Sequence, residues 1–156
     1  MQFRELEQLL RSLEGQPVVT KTIAGNSISL WFSVEPKAPT ARRIWIDPPW
    51  RIETPKGVES SSYGFPREKE DEETDAEYRL RFEKTCANSD CLKGSILTTL
   101  SVDHLTSDLV LQFNDGRVLR AFAVDLECEN WHFTDHGTLK RYGVLVHGVE
   151  IEDTDV

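Results

Sequence analysis

The chain has 156 residues, 38% apolar and 29% charged, with a formal net charge of −9; this is the size of one ordinary domain, able to bury a core without disulfide or metal support. Its three cysteines, Cys86, Cys91 and Cys128, are an odd number without the even spacing of a secreted disulfide framework, so reduced thiols are expected. No basic patch interleaved with aromatics and no apolar run of membrane-spanning length is present, which argues against nucleic acid and membrane as partners. The opening MQFRELEQLL carries acids and lacks the apolar stretch of a signal peptide, so a cytoplasmic protein is expected.

In chain order, Phe3, Leu6, Leu10 and Leu13 recur at helical spacing and predict a helix over 3–13, ended by Gly15 and Pro17. Residues 17–23 and 27–35 change to β-branched and aromatic types on either side of an AGN turn, with Ile28, Leu30 and Phe32 on one face. A Pro-containing loop leads to the short strand RRIWI, stopped by Pro48 and Pro49, and WRIE resumes the extended pattern. Residues 55–75 are rich in Pro, Gly, Ser and charge, with too few apolar residues to offset the entropy of ordering them, and read as a long mobile connection.

Residues 75–88 fit a helix through Tyr78, Phe82 and Cys86, or a short strand through Tyr78, Leu80 and Phe82. The helix is preferred because an internal match, described next, places one there. DLVLQFNDGRVLRAFAV alternates on both sides of NDG, residues that tolerate the positive φ of a hairpin turn. The chain closes with KRYGVLVHGVEIE, a strand expected to turn Val144, Val146, Val149 and Ile151 inward.

Leu13–Ser33 lies over Leu92–Gln112 at a constant offset of 79, pairing Leu13 with Leu92, Gly15 with Gly94, Val18 with Leu97, Ile23 with Val102, Leu30 with Leu109 and Phe32 with Leu111. Allowing gaps, Trp50 falls over Trp131. Such a match fits one structural unit used twice, although β-rich segments also resemble one another by composition alone. The expectation is a single α+β domain over 1–156: two helices packed on antiparallel sheet, with pseudo-twofold repeat halves 1–54 and 76–151 joined by the acidic loop 55–75.

The acidity is segregated. Glu68–Glu77 carries a net −6 and Glu150–Val156 a net −4, leaving the remainder near neutral. The first run reads either as a solvated linker or as an electrostatic handle for a basic partner, with Glu70, Asp71, Glu72 and Glu73 as its carboxylates and Tyr63 and Phe65 as exposed apolar anchors.

Catalytic and metal readings are weaker. Cys128, His132 and His136 are four apart and would share a face of a straight strand, but that spacing separates neighbours by about 13 Å, too far for one ion; a buried cysteine with two half-exposed histidines is the simpler reading. Cys86 and Cys91 have no second ligand pair downstream, and Ser60, Ser61 and Ser62 lack the glycine context of a nucleophile elbow. Asp47, Glu53, Glu127 and Glu129 flank Trp50 and Trp131 as a glycosidase pair could, but the tryptophans read better as core anchors, with the carboxylates solvated or paired with Arg42, Arg43 and Arg51. No catalytic residue, metal or cofactor is therefore assigned.

Pro49-Trp50-Arg51, the hairpin Asp108–Leu119 and Glu129-Asn130-Trp131 resemble a broad group of small bacterial domains. In that group a PWR-like strand, a D-L-x-L-x-F-x-D/N-G-x-x-L hairpin and an E-x-W strand recur. Several such domains are thought to be immunity proteins of polymorphic toxin and contact-dependent inhibition systems. The resemblance implies a non-enzymatic protein that neutralises a cognate toxin, a basic toxin domain if that toxin is a nuclease, by occluding it. Its motif residues are structural ones, so no binding residue is carried over from it. Two other readings remain from the residues: an interaction or assembly domain, including a homodimer through an exposed sheet edge, and a small metal-dependent or carboxylate hydrolase.

Overall fold

A computed structural model describes residues 2–154; Met1, Asp155 and Val156, the ends of the expected domain and part of its acidic tail, lie outside the described residues. The helix expected at the start is α1 (Phe3–Leu10), tightened into a 3-10 turn at Arg11–Leu13. It is followed by β1 (Val18–Ala24), β2 (Ser27–Phe32), β3 (Arg42–Ile46), β4 (Trp50–Thr54) and β5 (Gly57–Ser61). A second run contains α2 (Asp75–Ala87), a 3-10 turn at Asp90–Leu92, β6 (Leu97–Val102), β7 (Leu109–Phe113), β8 (Val118–Ala121), β9 (Trp131–Asp135), β10 (Lys140–Leu145) and β11 (Gly148–Asp153).

All pairings within the two sheets are antiparallel, in the orders β1-β2-β3-β9-β10-β11 and β5-β4-β8-β7-β6. Alternation along the strands turns Ile28, Leu30, Ile44, Ile46, Phe133 and Val144 of the first sheet and Ile52, Leu109, Leu111 and Leu119 of the second into one shared hydrophobic core. Trp50 and Trp131 are fully buried in it, as anchors should be. The closing segment is a hairpin rather than one strand. Val144 is buried, but Ile151, on the edge strand β11, is exposed.

The two runs are related by a pseudo-twofold, visible in paired hydrogen bonds. Gly15 N–H donates to Leu97 O (2.6 Å) and Gly94 N–H to Val18 O (2.8 Å); Val18 N–H donates to Ser95 O (2.9 Å) and Leu97 N–H to Gln16 O (3.0 Å). Pro17 bridges Ile96, its own equivalent. Gly15 and Gly94 both take φ of +82°, a conformation that favours glycine. The register shift between Val18 and Thr20 recurs between Leu97 and Thr99.

The constant offset fails after the first strand of each copy. Ile23 faces Ile28, whereas Val102 faces Leu109, because the second turn is two residues longer. That turn is held by the Asp103 carboxylate, which accepts from the N–H groups of Leu105 (2.8 Å) and Thr106 (3.0 Å). Leu30 therefore corresponds to Leu111 and Phe32 to Phe113, not to Leu109 and Leu111. Trp50 and Trp131 are equivalent: Trp50 faces Ala121 while Trp131 faces Ile46, and their indole N–H groups donate to Asn26 O (2.7 Å) and Ser107 O (2.9 Å).

Two expectations need correction. The connection 55–75 is not structureless: β5 lies within it, paired to β4, so the first copy runs on to Ser61. The helices are not alike either. Leu6 and Leu10 of α1 are buried in the shared core, whereas α2 has no buried residue and touches the core only through half-buried Phe82 and Cys86.

Candidate functional site

The acidic run is a folded cap on α2. Thr74 caps the helix by accepting from Glu77 N–H (3.2 Å), and the Glu77 carboxylate accepts from Thr74 N–H (2.8 Å). One turn on, Arg81 gathers the preceding segment. Its Nε and Nη2 donate to the two oxygens of Glu73 (3.0 and 2.9 Å), Nη2 also reaches Glu68 O (3.0 Å), and Nη1 lies 3.8 Å from Glu70. The Arg81 hydrogen bonds hold the Glu73 carboxyl below the usual carboxylate range. Lys69 pairs with Asp75 at 2.7 Å.

These contacts divide the six expected binding residues. Tyr63 is exposed, with the Arg67 guanidinium 5.5 Å over its ring, and Asp71 and Glu72 project at the turn without ion pairs among the described residues. Glu70 is exposed and shared with Arg81. Glu73 is withdrawn, since its side chain is only 11% exposed and is spent on Arg81. Phe65 is not a surface anchor. It is 5% exposed, its ring 6.0 Å from that of Trp50 and 5.5 Å from that of Phe82, because Phe82 of α2 packs over it and closes it against the core. An apolar residue of α2 that sequence reasoning passed over as a surface contact is Leu80, 55% exposed in an open groove beside Ala76 and Tyr78. Its signal is that the helix places an apolar residue off the Tyr78, Phe82, Cys86 face.

The other candidates are placed separately. Cys128 is exposed in the loop before β9, reversing the expected burial, while His132 on β9 is buried with Nδ1 2.6 Å from Glu129 and half-buried His136 stacks on Trp31. Among the described residues no three His, Cys, Asp or Glu side chains gather as a metal site would require. Cys86 and Cys91 are half-buried free thiols whose pKa values burial pushes up. Ser62 accepts from Trp50 N–H and is structural.

Asp47 accepts from Ser27 and from the Trp45 indole. Burial works to raise the Glu53 carboxyl, but hydrogen bonds from Arg51 and Arg120 outweigh it and leave the group below its ordinary value. Glu129 takes Arg141 at 2.5 Å, and Glu127 is exposed. Asp47, Glu53 and Glu129 are thus each engaged by separate partners, and Glu127 faces solvent.

A further cluster lies on the outer face of the six-stranded sheet, where Trp31, Arg43, Thr134 and Arg141 are successive cross-strand neighbours, as are Ser29, Trp45, His132 and Gly143. His136 stacks on Trp31 (5.8 Å), the Arg43 guanidinium lies 5.0 Å from the Trp31 ring and 5.6 Å from that of Trp45, and Trp45 stacks on His132 (6.0 Å). The alternations SLWFS, RRIWI and NWHFT carry this pattern, since the residues between the core positions are themselves large and flat.

No protein-family model, curated protein or solved structure matches this chain. Nor is any helix among the described residues long and apolar enough to cross a membrane.

Proposed function

We propose that the chain is a non-enzymatic binding protein of the immunity kind, acting in the cytoplasm, which neutralises a bacterial toxin by covering a basic surface of it. The observation that carries this reading is the anchoring of the acidic segment. Arg81 and Lys69 hold Glu73 and Asp75, so Glu68, Asp71 and Glu72 are left facing solvent on a fixed frame. Carboxylates held this way lose little freedom on binding and steer a basic partner into place. Exposed Tyr63 and Leu80 supply apolar contact beside them. The motif resemblance to immunity-type domains supports the same reading.

The test starts from affinity capture with this protein as bait, in lysates of its own organism and close relatives, followed by association kinetics with the captured partner across a salt series. A Glu68→Lys/Asp71→Lys/Glu72→Lys variant, which leaves the Arg81 and Lys69 pairs in place, should slow association by about tenfold or more and flatten its salt dependence. Unchanged kinetics would remove the acidic segment from the interface and overturn this reading.

A further inference from the structure

Arg43 is a withdrawn cation without a counter-charge. Each of the other half-buried arginines and lysines among the described residues makes an ion pair or a side-chain hydrogen bond, while Arg43 makes neither. Burial and the neighbouring Arg141 guanidinium both disfavour its charge. Beneath it, His132 and Thr134 are 7% and 1% exposed, yet His132 Nε2 and Thr134 Oγ1 have no hydrogen-bond partner among the described residues, and neither does Arg43 Nε. A charge held between two rings and left unpaired is costly within the chain, and an anion from outside it would offset that cost.

The geometry narrows what that anion belongs to. Arg43 and the two histidines already cover faces of both tryptophan rings: His136 and Arg43 lie against Trp31, and Arg43 and His132 against Trp45. The flat stacking that nucleic-acid bases or sugar rings need is therefore largely taken. A net charge of −9 further disfavours a polyphosphate backbone. What the face offers is ring edges around a guanidinium, and Trp and Arg are the residues that dominate protein interfaces when a partner closes over them.

We propose that the outer face of the six-stranded sheet is a docking site for a protein partner that places an aspartate or glutamate carboxylate on Arg43, seated between the edges of Trp31 and Trp45. Arg141 on this face is compensated by Glu129 and Glu152, so the charge on offer is that of Arg43, opposite to that of the acidic cap, and the proposal does not rest on the immunity reading.

A library of random linear peptides displayed on phage and panned on the intact protein tests it. The enriched peptides should carry Asp or Glu beside an aromatic or aliphatic residue, and their affinity should fall by about tenfold or more in Arg43→Gln. Arg43→Lys, which keeps the charge without the planar fork, should give a smaller loss, and it decides the matter if Arg43→Gln does not fold. In nitrogen-proton spectra the indole signals of Trp31 and Trp45 should move on adding an enriched peptide while those of buried Trp50 and Trp131 stay. Failure to enrich any peptide, enrichment without acidic residues, undiminished binding to the variants, or preference for a thymidine oligonucleotide at the same indoles would each overturn the proposal.

Discussion

The carboxylate of Glu129 lies across Gly143, where a Cβ would strike it, and from there reaches both His132 and Arg141. Gly143→Ala should lower stability by roughly 1–3 kcal/mol, because the displaced carboxylate leaves buried His132 without its partner and takes from Arg141 one of its two carboxylates, the other being Glu152. The loss should shrink in a Glu129→Ala background, a coupling that chemical denaturation of the four-member cycle measures. Phe65→Ala should cost about 3–4 kcal/mol by the same assay, as expected for truncating a core aromatic; a loss near zero would return Phe65 to the surface. Phe65 shows what local sequence does not carry. Its neighbours are Gly, Pro and charge, so composition places it outside, and its burial depends on Phe82 of a helix that starts ten residues later.

Among the elements, those with strong local chemistry were legible. The NDG turn joins β7 to β8 with Gly116 at φ +86°, and the Pro48-Pro49 stop separates β3 from β4. β5 was not, because GVESS is a half-solvated edge strand that buries only Ser60 and has no apolar alternation to read. Its position is set by the ladder with β4 and by Arg117, in the turn between β7 and β8, which donates to Glu59 (2.7 Å) and to Asp115 (2.6 Å).

The Arg117 hydrogen bond holds the Glu59 carboxyl below its ordinary value. A lowered folded-state pKa means that the stabilisation is present above the unfolded carboxyl's pKa and is lost as pH falls through the folded one. Arg117→Gln should therefore destabilise by about 0.5 kcal/mol near neutrality, the scale of a solvent-screened pair. Variant and parent should converge as the pH falls below about 4. A difference that persists in acid would mean that Arg117 acts through packing rather than charge.

At the scale of the whole molecule, the pseudo-twofold is an exchange of strands. The first copy places β1-β2-β3 in one sheet and sends β4-β5 into the other, where β4 pairs with β8; the second copy returns β9-β10-β11 to the first sheet through β3 and β9. The sequence match was legible where both copies share a turn and a strand, from Leu13 to Ile23, and drifted where one hairpin gained two residues. It said nothing of the exchange, because pairing between copies leaves no local periodicity.

The exchange has a consequence for folding. Cut at the exposed turn between Asp71 and Glu72, the first fragment keeps β1-β2-β3 and β4-β5 and the second keeps β6-β7-β8 and β9-β10-β11; each piece loses the strands that complete its sheet across β3–β9 or β4–β8, and with them part of the shared core, which leaves apolar faces bare in chains too short to close a core of their own. Each should therefore give the circular dichroism and poorly dispersed proton spectrum of an unfolded chain. An equimolar mixture should restore β-sheet and all four dispersed indole signals, with a midpoint that rises with concentration as expected for an associated pair. A fragment that folds alone would show that one half closes its own core, and the two sheets would then have to be stable before the strands are exchanged.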